Sequence, residues 1–102
     1  MNYQYIKTEQ KDLIATIRLN HYAKRNALSE CLIEEIHHAL EIFGKEDIRA
    51  VVLRSDSKNT VWSAGHDVME LPRADMDPLP ADDPVMILLQ SIRNFRAPVI
   101  AM

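Results

Sequence analysis

Glycine is scarce in this chain, with only Gly44 and Gly65 among 102 residues. So few glycines leave no phosphate-cradling loop in the sequence. A single cysteine, Cys31, excludes an internal disulfide and a cysteine-based metal site, and it suits a reducing cytosol. No apolar run approaches the ~20 residues that span a bilayer. The start, Met1-Asn2-Tyr3-Gln4, lacks the basic and apolar regions of a signal peptide. A net charge of −3 with scattered lysines and arginines offers no footprint for nucleic acid. These absences predict a cytoplasmic protein with neither nucleic acid nor membrane as partner. What remains is ordinary for a globular chain: 47% hydrophobic and 26% charged residues. A domain of this length buries roughly 65% of its unfolded surface.

The patterning predicts an α/β chain in the order β-β-α-β-turn-short helix-loop-α-β. Tyr3–Lys7 and Leu13–Leu19 are rich in β-formers, with Gln10-Lys11-Asp12 as the turn of a hairpin and Ile6, Ile14, Ile17 and Leu19 as its apolar positions. Ser29 is a candidate N-cap. Leu32, Ile33, Ile36, Leu40 and Phe43 follow at helical spacing, and Gly44 is placed as the left-handed residue after the helix. Ala50-Val51-Val52-Leu53 is nearly continuous in apolar character, as in a strand covered on both faces. Asp82 or Asp83 caps a second helix, Pro84–Phe95, with Val85, Leu88, Leu89, Ile92 and Phe95 inward. Residues 73–84, rich in proline and aspartate, read as a surface loop. Ala97–Met102 reads as a strand just beginning.

The chemistry concentrates in Trp62-Ser63-Ala64-Gly65-His66-Asp67-Val68-Met69-Glu70-Leu71, which follows the apolar strand. Gly65 permits backbone conformations closed to other residues and lets a ligand approach the main chain. Asp67 is a good N-cap for a short helix. A small-Gly-X-Asp turn of this kind can hold a developing oxyanion with backbone amides, although an ordinary strand-to-helix turn looks the same from pattern alone. The histidines carry weaker signals. His37-His38 beside Glu34 reads as a solvated helix face rather than a metal site, and His21 as surface. Trp62 reads as a core anchor. Cys31 has nothing beside it to support a nucleophile, and no Ser-His-Asp arrangement is visible.

Ser63-Ala64-Gly65-His66-Asp67-Val68 with Glu70-Leu71 resembles the first oxyanion-hole segment of the crotonase (enoyl-CoA hydratase/isomerase) superfamily. Ala23-Lys24-Arg25-Asn26-Ala27-Leu28-Ser29 is similar to that family's Asn-Ala-Leu segment, at the usual separation. Tyr3-Gln4-Tyr5, His66 and Glu70-Leu71-Pro72 most resemble the branch that decarboxylates methylmalonyl-CoA. The resemblance implies a ββα spiral of which residues 1–102 form the first one and a half turns, an incomplete N-terminal portion of one domain. It implies an acyl-CoA thioester substrate whose enolate oxygen is held by the backbone N–H of His66. The second donor is a glycine in a segment beyond Met102. Lys24 and Arg25 would lie along the CoA arm. Ala64, Gly65, Asp67 and Val68 would complete the substrate contacts.

No metal and no cofactor besides the CoA of the substrate is implied. A homotrimer or hexamer is implied for the whole protein. A 2-enoyl-CoA hydratase or isomerase remains the alternative, favoured by two glutamates in the later half. A truncated, inactive piece is the other.

Overall fold

Two strands of six residues flank Asp12-Leu13 and pair as an antiparallel hairpin. In the computed structural model, which describes residues 2–56, 61–67 and 82–102, β1 (Ile6–Lys11) and β2 (Ile14–Leu19) set Ile6 opposite Leu19 and Lys11 opposite Ile14. Asp12 takes a left-handed φ of 56°, which a short polar side chain tolerates, so a two-residue loop closes the hairpin. The turn therefore lies later than the expected Gln10-Lys11-Asp12, and β1 starts at Ile6 rather than Tyr3. Ahead of it, the N–H groups of Gln4 and Tyr5 donate to the Glu35 carboxylate at 2.9–3.1 Å. A side chain of the first helix thus takes the place of a strand partner.

That helix, α1 (Glu30–Gly44), starts where Ser29 Oγ accepts from the Leu32 N–H, a cap worth ~1 kcal/mol. It buries Leu32, Ile33, Ile36, Ala39, Leu40 and Phe43. Gly44 is the last helical residue and Lys45 caps in a right-handed conformation, so no left-handed glycine ends α1. The loose carbonyls find a side chain instead. The Arg96 guanidinium donates to the carbonyls of Gly44 and Ile48 at 3.0 Å, and also to those of Phe43 and Glu46. A cation there also opposes the negative end of the helix dipole.

β3 (Ala50–Ser55) returns parallel to β2, and α2 (Pro84–Asn94) precedes β4 (Val99–Ala101), which is parallel to β3. The sheet order is β1-β2-β3-β4. Asp83 caps α2 by accepting from the Val85 N–H, with Pro84 in the first turn. Ala15, Ile17, Leu19, Val51 and Leu53 point to the face that shares a buried cluster with α1 and Leu88 of α2.

The opposite face is open among the described residues. Ile14 is 41% exposed and Ile100 46%, while Ala50 and Val52 are half-buried. Among the described residues Ile14 is thus not a core position, and β3 is covered on one side rather than both. In α2, Leu89 is 52% exposed where an inward residue was expected, whereas Val85, Ile92 and Phe95 pack against the core.

Glu35 is only 8% exposed and satisfies two backbone donors. Glu35→Ala leaves both N–H groups without an acceptor and is expected to lower stability by ~2 kcal/mol. Urea denaturation checks this, and a change under ~0.5 kcal/mol contradicts it.

Candidate functional site

Because β2 and β3 run parallel with Leu19 beside Ser55, their C-terminal ends share one edge of the sheet. Ligands of open α/β sheets gather at that kind of edge. Residues 20–29 leave β2 there and residues 56–67 leave β3. β4 ends at the same edge, where the Met102 N–H donates to the Leu53 carbonyl.

The first of these segments turns through a single 3₁₀ turn, Tyr22–Lys24, then places Arg25 and Asn26 at left-handed φ values of 52° and 56°. Asn26 is fully buried. Its Oδ1 accepts from the His21 N–H at 2.7 Å. Its Nδ2 donates to Ser55 Oγ and to the carbonyls of Val61 and Trp62, at 3.0–3.3 Å. The two segments are therefore stitched together through one amide.

Further bonds hold Ser63–Asp67 against Arg25–Leu28. The Ala64 N–H donates to the Arg25 carbonyl at 2.9 Å, and the Leu28 N–H to the Gly65 carbonyl at 2.7 Å. Ser63 Oγ donates to the Asn26 carbonyl and accepts from the Gly65 N–H. Leu28 and His66 form a parallel bridge. In a parallel bridge the partner bonds to the residues on either side of the central one, so the N–H of His66 faces away from Leu28. Among the described residues that N–H makes no hydrogen bond. Gly65 has a φ of 85°, with open space where a Cβ would stand. Conformation, and not crowding, is what requires glycine there.

The His66 ring is held on both sides. Nε2 lies 3.3 Å from the Asp83 carboxylate at the start of α2, and Nδ1 3.2 Å from the Asp67 carbonyl. Asp67 is 4% exposed and accepts from Lys24 Nζ at 3.0 Å. A backbone N–H at the tip of a turn pinned on three sides can receive a negatively charged oxygen with little reorganisation.

The sequence profile of the enoyl-CoA hydratase/isomerase family matches residues 9–102. The chain belongs to this family. Its crotonase fold is likewise that of the solved structures it resembles. Methylmalonyl-CoA decarboxylase of Escherichia coli K12 is 39% identical over all 102 residues, which cover 39% of that protein. A probable mitochondrial enoyl-CoA hydratase of Dictyostelium discoideum is 27% identical over 95 residues, 92% of this chain and 33% of that one. Methylmalonyl-CoA decarboxylase structures in complex with 2-nitronate-propionyl-CoA and with 2S-carboxypropyl-CoA superpose with TM-scores of 0.90. Both are 39% identical, and 99% and 100% of this chain cover 39% of each. The chain thus spans about two fifths of the length of these relatives, and the described residues form part of the crotonase fold.

Of the residues singled out in the sequence, Lys24, Arg25, Ala64, Gly65, His66 and Asp67 converge at this edge of the family's fold. Val68, with Glu70-Leu71 and most of the 73–84 loop, lies outside the described residues, as does the short helix that Asp67 was expected to cap. Lys24 reaches Asp67, and Arg25 is exposed. Trp62 is not a core anchor: it is 39% exposed, and its Nε1 donates to the Met102 carbonyl at 2.7 Å.

His37 lies 3.0 Å from Ser91 Oγ and 3.0 Å from Glu41, a Ser-His-Glu grouping that the sequence did not reveal. Ser91 donates to the Ile87 carbonyl, so its lone pairs face the imidazole and no proton is offered for transfer. The contact ties α1 to α2. His38 meets the Tyr3 hydroxyl at 2.8 Å, and no cluster of three metal-binding side chains occurs among the described residues.

Sequence reasoning missed Asn26 as the hub and Asp83 as the partner of His66. For Asn26 a signal existed, since asparagine is enriched at positive φ and this one lies three residues before the helix cap Ser29.

His21 is not a plain surface residue. Its ring stacks on Tyr5 at 4.1 Å between centroids, and its Nδ1 is buried without a partner among the described residues. Burial pushes the imidazole pKa below its ordinary value of about 6.5, helped by Lys24 and opposed by Asp67 and Glu35. The folded state thus favours neutral His21, and the unfolded chain takes up the proton first. The stability it contributes is fully present above pH ~6.5 and lost as pH falls through the lowered folded value. His21→Phe keeps the stack and is expected to flatten this acid-side loss in melts between pH 7.5 and 5. An unchanged slope would contradict the assignment.

Proposed function

We propose that the full protein is a CoA-thioester lyase that decarboxylates methylmalonyl-CoA to propionyl-CoA. The His66 N–H, held outward by the Leu28 bridge and without a bond among the described residues, is the observation that carries this reading. The 39% identity to methylmalonyl-CoA decarboxylase across all 102 residues supports it. The bond between Cα and the carboxylate breaks, and carbon dioxide leaves. The released electron pair becomes a thioester enolate whose oxygen accepts from the His66 N–H. A proton delivered to Cα then gives propionyl-CoA.

In this reading the second donor comes from a segment after Met102, beside the end of β4. Ala64, Gly65, Asp67 and Val68 line the thioester, with Lys24 and Arg25 along the CoA arm. The Lys24–Asp67 ion pair makes Lys24 a fastener of the turn as well as a candidate phosphate contact. Binding that sets the departing carboxylate perpendicular to the enolate plane supplies much of the rate. No cofactor beyond the CoA of the substrate is required. A cytoplasmic homotrimer or hexamer is proposed for the whole protein. No helix among the described residues is long and apolar enough to cross a membrane.

A hydratase or isomerase is the second reading, favoured by the family match and the Dictyostelium relative. Carbon dioxide release from methylmalonyl-CoA, measured beside hydration of crotonyl-CoA, separates the two. The first activity is expected to dominate. Hydration exceeding decarboxylation would overturn it.

A further inference from the structure

We propose that Asn26 is a positioning residue for the oxyanion donor, acting through the backbone of Val61–Gly65 and not by touching substrate. This rests on the reading of the His66 N–H given above. Asn26 is fully buried, and its side chain uses its acceptor and both of its donor hydrogens. Its main chain takes part as well. The Asn26 N–H donates to the His21 carbonyl at 2.9 Å, and the Asn26 carbonyl accepts from Ser63 Oγ at 2.8 Å.

The consequences run in one direction along the chain. The carbonyls of Val61 and Trp62 are fixed by Nδ2, which sets where the 61–67 segment enters the edge. Ser63 is fixed by the Asn26 carbonyl, and it accepts from the Gly65 N–H. Gly65 is fixed by Leu28, two residues along from Asn26. His66 is the next residue, so its N–H direction follows from bonds that all begin at the Asn26 turn. A shift of about 1 Å in a reacting geometry lowers rate by up to ~10²-fold.

Asn26→Gly tests this cleanly, because glycine keeps the left-handed φ of 56° while deleting only the side chain. In the full protein it is expected to lower kcat by ~10- to 100-fold with KM for the thioester changed by less than about threefold. A merely structural role would not move the second readout, the carbonyl stretch of a bound propionyl thioester. Weaker hydrogen bonding from His66 is expected to return it toward the frequency in water. Should Asn26→Gly not fold, Ser63→Ala removes two bonds of the same chain of contacts and is expected to give the same pattern at ~5-fold.

Folded variants with kcat within twofold and an unshifted carbonyl stretch would overturn the positioning role. A parallel replacement of the residue-66 amide by an ester distinguishes the two levels. If the ester abolishes turnover and Asn26→Gly does not, Asn26 alone loses its role. If the ester is without effect, the oxyanion reading itself falls.

Discussion

Replacing the amide between Gly65 and His66 by an ester is expected to lower kcat of the full protein by 10²–10³-fold, equivalent to ~3 kcal/mol of lost stabilisation. The ester keeps the shape of the turn and the His66 side chain and removes the N–H, while the Gly65 carbonyl, which accepts from the Leu28 N–H, becomes a weaker acceptor. That group makes no bond among the described residues, so its loss leaves no internal acceptor unsatisfied there. His66→Ala is the complementary change. It keeps the N–H and deletes the ring that meets Asp83 at 3.3 Å, so it should weaken kcat by less than ~10-fold. Steady-state kinetics on the two variants checks the ordering. A larger loss from His66→Ala than from the ester would assign the chemistry to the imidazole.

The second large effect is in the core. Ile17 lies in β2, which has neighbours on both sides, and it is fully buried. Ile17→Ala is expected to lower stability by ~2–5 kcal/mol, against ~1 kcal/mol for Ile17→Val. A domain of this kind has ~5–15 kcal/mol in all, so the alanine variant should be partly unfolded at moderate urea. Equilibrium denaturation gives both values. A loss under ~1 kcal/mol for Ile17→Ala would mean that the packing of α1 against the sheet is not as described.

Ile17 was legible from sequence and Ile14 was not, and the difference has a physical reason. Both are β-branched residues in one strand, but they point to opposite faces, and only one face is covered by helices among the described residues. Strand patterning cannot say which face gains a cover. The same ambiguity applied to Leu89, an apolar residue on the outer side of α2, and to Val52.

Features written in a few adjacent residues were read correctly. Ser29 caps α1, Asp83-Pro84 opens α2, and the ββα order leads into a strand at Val99–Ala101. Contacts between distant residues were not legible. Glu35 takes the N–H groups of Gln4 and Tyr5, Arg96 gathers carbonyls at the end of α1, and Trp62 bonds the main chain at Met102.

The candidate site divides the same way. Gly65 and Asp67 announce a turn, and the resemblance of Ser63–Val68 gave that turn a chemical meaning. The bridge between His66 and Leu28, which aims the N–H, follows only from the fold. So does the Lys24–Asp67 ion pair. A lysine read as a contact for CoA phosphate is also part of the clamp on the turn.

A crystal structure of the full protein with a nitronate analogue of propionyl-CoA shows whether the His66 N–H holds the enolate oxygen, because the nitronate stands in for the thioester enolate. The thioester oxygen is expected within ~2.7–3.1 Å of the His66 nitrogen, in line with its N–H. A thioester oxygen bound elsewhere, with the His66 N–H turned to water or to another protein group, would contradict it.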